Sequence, residues 1–182
     1  MQLHVHSTIN DVSANEWDTW FGGDYPFLLH EFLFGLEQAD CTTAASGWQP
    51  CHLVLRDNQN TVAAAPGFLK SHSYGEYVFD WSWADAWQRQ GLSYYPKLVT
   101  AAPFTPATGP RIYTNPDYPN ALELLLTAIK ALCHEQGISG WHSLFNETTS
   151  VATLNAAGLH HRQTTQFHWF NRKYTNFDDF LA

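Results

Sequence analysis

The stretch "LKSHSYGEYVFDWSWADAW", residues 69–87, carries more chemistry than a hydrophobic core requires. Lys70, His72, Glu76 and Asp80 stand among Tyr74, Tyr77, Trp81, Trp83 and Trp87. His72 is the readiest base, because imidazole titrates near neutral pH; Glu76 or Asp80 needs burial to raise a carboxylate into that range. On an extended run His72, Tyr74 and Glu76 share one face, which aims two ionisable groups the same way. Tyr94 and Tyr95 are candidate proton donors. Lys70 and Arg111 are cations suited to a phosphate or carboxylate. Each residue has a bland reading beside the active one: Asp80 fits an N-cap, His72 a hydrogen-bonded strand residue, and Arg111 a salt bridge. Trp83 and Trp87, four apart, read as core.

Other chemistries lack their residues. No G-x-S-x-G is present, and Cys51–His52 adjacency makes no catalytic pair, since strand neighbours point to opposite faces. The histidines show no H-x₃-H spacing; His4–His6 and His160–His161 have no partners at ligand spacing, so no metal site is expected. The chain of 182 residues suits one domain with a real core. Its 9 Lys and Arg against 17 Asp and Glu give a formal charge of −8, which argues against tRNA or other nucleic-acid binding by this chain alone. Cys41, Cys51 and Cys133 read as reduced thiols. No secretory leader opens the sequence and no run reaches the roughly 18 apolar residues of a membrane span, so a soluble, cytoplasmic protein is expected.

Strand and helix signals alternate. "QLHVHST" alternates like a half-buried strand. "SANEWDTWF" is a helix opened by a Ser13–Glu16 capping box, and "HEFLFGLEQA" is a second helix. "CHLVLRD" and "TVAAAPGFLKSHS" form a hairpin around "DNQN", with Pro66 and Gly67 marking an edge or bulge. Phe79, Trp83 and Trp87 mark a short helix capped by Asp80 and stopped at Gly91. "KLVTAAPFT" is an apolar strand. A long helix starts near Pro119, with Leu122, Leu125, Ile129 and Leu132 on one face, and ends at Gly137. "SGWHSLFN" is a strand, "TTSVATLNAA" a helix closed by Gly158, and "LHHRQTTQFHWFN" a long final strand. This order predicts an α/β (α+β) fold: a central mixed sheet covered by helices. "NFDDFLA" starts a helix at Asn176 and stops within two turns. Residues 1–175 therefore read as a single domain, with 176–182 leading into a C-terminal half of the same protein.

The segments "NEWDTW", "PFLLHEFLFGLEQ", "GWQPCHLVLRD", "YYPKLVTAAPFTPATGPRI" and "TTQFHWFNRKYTNFDDFLA", with the 69–87 stretch as the most specific block, resemble the FemAB-like N-acyltransferases. These belong to the GNAT superfamily and are described as peptidoglycan biosynthesis or recognition proteins. The resemblance spans nearly the whole chain and implies a GNAT-like acyltransferase fold. It also implies transfer of an acyl or aminoacyl group to an amine by direct attack in a preorganised cleft, with a small molecule or cell-wall precursor as acceptor. On that reading His72, Glu76, Asp80, Tyr94 and Tyr95 are the proton-transfer candidates. Acetyl-CoA-dependent members carry a Gly-rich loop that cradles pyrophosphate; here "PFTPATGPRIYTNPDYP" holds one Gly and five Pro. Lys70, Gly109 and Arg111 are the remaining donor contacts. Fem-type enzymes take the acyl group from aminoacyl-tRNA, so acyl-CoA and aminoacyl-tRNA both stand as donors, and no tightly bound cofactor is expected.

Two non-catalytic readings compete. The aromatic stretch could be a platform on which sugar rings stack, which requires Trp81, Trp83 and Trp87 to form an open surface. Alternatively this chain is a silent repeat supporting an active C-terminal half, which requires an exposed apolar patch near its end. A catalytic site instead requires His72, Asp80 and Tyr94 or Tyr95 to converge in a cleft.

Overall fold

The computed structural model describes residues 1–181. Strand β1 (Gln2–His6) leads to helices α1 (Ala14–Phe21) and α2 (His30–Gln38), then to β2 (Trp48–Pro50), β3 (His52–Asp57), β4 (Asn60–Ala65) and β5 (Phe68–Lys70). Helix α3 (Trp81–Arg89), β6 (Lys97–Thr100), β7 (Tyr113–Thr114) and α4 (Ala121–Gln136) follow. Then come β8 (Trp141–Ser143), α5 (Thr148–Ala156) and α6 (Phe177–Leu181). One sheet runs β1-β3-β4-β7, all antiparallel; the other runs β2-β5-β6-β8, with β6 and β8 parallel.

The strands β3, β4 and β6 are near-continuous apolar runs because both of their faces are covered. Val54, Ala64 and Val99 point into one core with Trp17, Phe21, Leu28 and Leu33 of the α1–α2 region. Their neighbours Leu53, Leu55, Ala63, Ala65 and Leu98 point into a second core under Leu125, Ile129 and Leu132 of α4. The period-two alternation of a strand divides the residues between the two layers. Gly137 closes α4 in the left-handed conformation, at φ 65°.

Several sequence expectations are corrected. The hairpin exists only as β3–β4; at Pro66–Gly67 the chain crosses to the other sheet as β5. His52 marks that crossing: it is fully buried, Nε2 lies 3.3 Å from Glu37 and Nδ1 accepts the Gly67 N–H. Ser13 occupies the N-cap of α1 without a capping hydrogen bond, and Glu16 is drawn instead to Arg56 at 3.1 Å. Residues 71–80 are not extended: Gly75, Tyr77 and Phe79 all take positive φ, so His72, Tyr74 and Glu76 share no face. Helix α3 forms but buries none of its residues: Trp83 is exposed and Trp87 only half-buried, against the edge of the Tyr94 ring, so neither is core. The final strand is absent, since residues 159–171 pair with no sheet edge and lie largely exposed.

Candidate functional site

Lys97 opens β6 directly opposite Lys70 of β5, and both side chains are fully buried. A buried ammonium must be met by charge and hydrogen bonds. Lys97 Nζ donates to Asp80 Oδ2 at 2.5 Å, Glu76 Oε2 at 2.8 Å and Ser73 Oγ at 2.9 Å. The Tyr94 hydroxyl donates to the same Asp80 oxygen at 2.6 Å, and the Tyr95 and Ser73 hydroxyls bond at 2.7 Å. Asp80 stands at the N-cap of α3 but does not cap it; its carboxylate turns inward to Lys97. Lys70 Nζ lies 3.7 Å from the centre of the Trp48 ring and donates to the Tyr74 carbonyl at 3.2 Å.

Electrostatics separate the members of this cluster. Burial pushes the Asp80 carboxyl up, but hydrogen bonds from Lys97 and Tyr94 and the Lys97 charge outweigh it and hold the group down at about 2. Burial dominates at Glu76 and raises its carboxyl above the ordinary range despite Lys97. Burial likewise drops the Lys70 amine to about 7, with Glu76 opposing and Lys97 adding to the fall. Tyr94 is raised by burial and by the Asp80 carboxylate it serves. His142 on β8 packs edge-on against the Tyr94 ring and is lowered to about 4, by burial and then by Lys97. Glu76 Oε1 and Asp80 Oδ1 have no partner.

Asp80, Glu76, Tyr94 and Tyr95 are thus brought together, but Glu76 and Asp80 are only 2% and 1% exposed. A base that cannot touch solvent cannot touch substrate while the 73–80 segment stays closed. His72 lies outside the cluster: its ring packs over Gly47, where a Cβ would stand 2.2 Å from Nε2, and Nδ1 accepts the Tyr74 N–H. Burial and Lys70 lower its pKa.

The open space lies elsewhere. A groove of about 380 Å³ opens where β7 and β8 end and the chain enters α4 and α5. Thr114, Asn115, Tyr118, Asn146, Thr149, Ser150 and Thr153 supply its hydrogen-bonding groups, and no carboxylate, imidazole or cationic side chain lines it. Neither α4 nor α5 has a side-chain cap hydrogen bond. The Ala121 and Ser150 N–H groups are taken by the Tyr118 and Glu147 carbonyls, and the first turns of both helices line the groove with the positive ends of their dipoles.

None of the residues singled out from the sequence lines this groove; Gly109 and Arg111 stand one layer behind it. Gly109 bridges to Asn146 and lies flat on the Tyr25 ring, where a Cβ would sit 2.3 Å away. The Arg111 guanidinium is buried and spent on the carbonyls of Leu144, Pro110 and Ala107 and on the Tyr25 hydroxyl. It joins the entry of β7 to the exit of β8 and offers nothing to a phosphate. The sequence reading missed Lys97, Ser73, His142 and the whole groove. Lys97 had a signal, a lone cation opening the apolar run "KLVTAA". The groove had none, because Thr, Ser and Asn are unremarkable until two strand ends bring them together.

Residues 8–182 match the FemAB-like family, described as peptidoglycan biosynthesis/recognition, and the chain belongs to that family. No curated protein matches the sequence. Among solved structures, the chain is similar to the aminoglycoside 6′-N-acetyltransferase AAC(6′)-Ig of Acinetobacter haemolyticus, with a TM-score of 0.50 at 14% identity over 95% of this chain and 99% of that one. It is also similar to a possible acetyltransferase of Clostridium difficile 630, with a TM-score of 0.49 at 10% identity over 93% and 97%. The mixed α/β fold is that of the GNAT-type acetyltransferases. Among the described residues no helix is long and apolar enough to cross a membrane.

Proposed function

We propose that the protein is an N-acyltransferase, or the N-terminal half of one, which joins an acyl or aminoacyl group to an amine of a cell-wall precursor. The observation that carries this reading is the groove of about 380 Å³ at the ends of β7 and β8. It offers backbone N–H groups, hydroxyls and amides to a carbonyl or phosphate, and such preorganised donors stabilise the oxyanion of acyl transfer. The groove seats the acyl donor, and the Lys97 cluster keeps the neighbouring sheet in shape without touching the reacting atoms. The C-terminal half expected from the sequence would cover Phe167, Trp169 and Phe170, which are 98%, 63% and 73% exposed.

The test is transfer to a soluble muropeptide amine from acetyl-CoA and, separately, from aminoacyl-tRNA, read as amide product by mass spectrometry. Ser150→Asp is the informative variant. An acid in the first turn of α5 favours the helix by about 0.3–1 kcal/mol while repelling an anionic donor. Product formation should fall at least tenfold with no loss of thermal stability. No product from either donor with the whole protein, or full activity in Ser150→Asp, overturns the reading.

A further inference from the structure

Acyl transfer to an amine moves one proton from the attacking nitrogen to the departing group, and something must carry it. The two tyrosines marked for this role by the sequence are engaged elsewhere. The Tyr94 hydroxyl is bonded to Asp80 at 2.6 Å and the Tyr95 hydroxyl to Ser73 at 2.7 Å, inside the closed cluster. The groove holds a third. Tyr118 lines it, and no carboxylate, imidazole or cationic side chain shares the wall. Its phenol oxygen makes no hydrogen bond to the described residues and lies open to solvent, whereas the orphaned buried oxygens are those of Thr42, Glu76 and Asp80. The ring, by contrast, is fixed. It is half-buried and packs against the second core. The Tyr118 N–H donates to the Asn115 carbonyl at 3.0 Å, and the Tyr118 carbonyl accepts from Ala121 at 2.9 Å. Asn115 is in turn tied to β4, by its N–H to the Val62 carbonyl at 2.9 Å and by its side-chain amide to the Thr61 carbonyl at 2.8 Å. Pro116 and Pro119 restrict the backbone on either side. A phenol with its ring held and its hydroxyl unpartnered is what a proton-transfer group requires.

We propose that Tyr118 is a catalytic residue of the transfer, the group that carries the proton from the amine to the leaving group. The proposal rests on the acyltransferase reading of the groove and adds the proton chemistry that its other residues lack. The Thr, Ser and Asn groups there offer hydrogen bonds but no titrating proton. As the amine nitrogen forms its bond to the acyl carbonyl carbon, the Tyr118 hydroxyl gives its proton to the departing oxygen or sulfur, whose bond to that carbon breaks. The phenolate then takes the surplus proton of the new amide nitrogen, which restores the phenol. One amide and one alcohol or thiol result, with no net change at Tyr118. The leaving group sets how much this matters. A departing alkoxide is a stronger base than a phenolate, so the proton moves downhill to it. A departing thiolate needs less help, because a thiol ordinarily ionises at about 8.5 and a phenol at about 10. Tyr118 therefore serves an oxygen ester more than a thioester.

The experiment measures transfer by the whole protein carrying Tyr118→Phe to the soluble muropeptide amine. Acetyl-CoA is the thioester donor; aminoacyl-tRNA and 3′-O-aminoacyl adenosine are the oxygen esters. Phe keeps the ring, and the missing hydroxyl strands no partner, so the melting temperature should not move. With an ester donor kcat should fall about a hundredfold at unchanged KM, the low end of what a placed acid–base group contributes. With acetyl-CoA the fall should be smaller. Tyr118→3-fluorotyrosine, whose phenol is more acidic, should move the alkaline limb of the pH–rate profile to lower pH, a shift that a merely structural ring does not produce. Wild-type kcat in Tyr118→Phe overturns the proposal. So does a rise in KM with kcat unchanged, which makes the hydroxyl a binding group, and so does an unmoved alkaline limb in the fluorotyrosine variant. A greater loss from acetyl-CoA than from the esters overturns the leaving-group step. The two readings fail apart. Full activity in Tyr118→Phe with a tenfold loss in Ser150→Asp leaves the groove standing and removes Tyr118 from its chemistry. Full activity in Ser150→Asp, or no product from any donor, removes the groove and Tyr118 with it.

Discussion

The Lys97 cluster and the groove between β7 and β8 are opposites. The cluster has two lysines, two carboxylates and two tyrosines, and no room for a ligand. The groove has room for a ligand and, apart from the Tyr118 phenol, no ionisable side chain. A residue type that can do chemistry says nothing about whether a substrate can reach it. Burying an ion costs several kcal/mol unless it is paired, so charges inside a small domain first have to satisfy one another. A ligand can be met just as well by groups that every chain possesses, the N–H donors of helix first turns. Ionisable residues therefore marked the interior of this protein more strongly than its opening.

The sharpest way to break the contrast is Lys97→Met. It leaves Glu76 and Asp80 buried without their cation, and removing one partner of such a pair costs about 3–5 kcal/mol. Chemical denaturation should show a loss of that size; a loss below about 1 kcal/mol would mean that the cluster does not hold the 73–80 segment. Next comes Arg111→Ala, which strips buried acceptors at Leu144 and Ala107 of their donor, at about 1–3 kcal/mol. Because those bonds join the walls of the groove, donor binding should weaken with it. A stable variant with full donor affinity would detach Arg111 from the groove.

pH sharpens the contrast further. The folded pKa of Lys70, about 7, lies below its ordinary 10.5. Between those values the unfolded chain holds a proton that the folded chain lacks, so the Lys70 contribution makes stability rise with pH from about 7. Denaturant titrations from pH 6 to 10 should show this rise, and Lys70→Met should flatten it. Asp80 acts at the other end: its pKa falls from 3.8 to about 2, so its contribution is complete above 3.8 and disappears as pH drops through 2. The smallest effect belongs to Ser13→Ala. With no capping bond to lose, it should cost less than the roughly 1 kcal/mol of an ordinary N-cap substitution, measured by the same denaturation.

Most elements were legible in the sequence, for reasons that differ by element. Leu125, Ile129 and Leu132 recur at helical spacing and Gly137 stops them, so α4 was readable from one stretch alone. The alternation in β1, the run in β3 and the turn at Asn58 were local in the same sense. The α3 stripe was read correctly as a helix and wrongly as core, because a 3.6-residue period fixes which side chains align and not what lies opposite them. The final strand failed likewise, since alternation suits a strand only if an edge is there to pair with it. At the site, Asp80, Glu76 and Tyr94 were picked out by type and do meet. Lys97, which joins them, comes from a strand 17 residues beyond Asp80.

The sequence by itself determined the α/β order of elements, the helical faces, the acidic charge and the unusual density of aromatic and ionisable residues in 69–87. These follow from local spacing and composition, which act over a few residues. Only the tertiary structure decided that those ionisable groups turn inward on Lys97 while the aromatic rings turn outward. It alone decided that a groove of about 380 Å³ opens at two strand ends remote in sequence. Burial, and with it pKa and access, depends on what packs against a side chain, and no stretch of chain carries that information before it has folded.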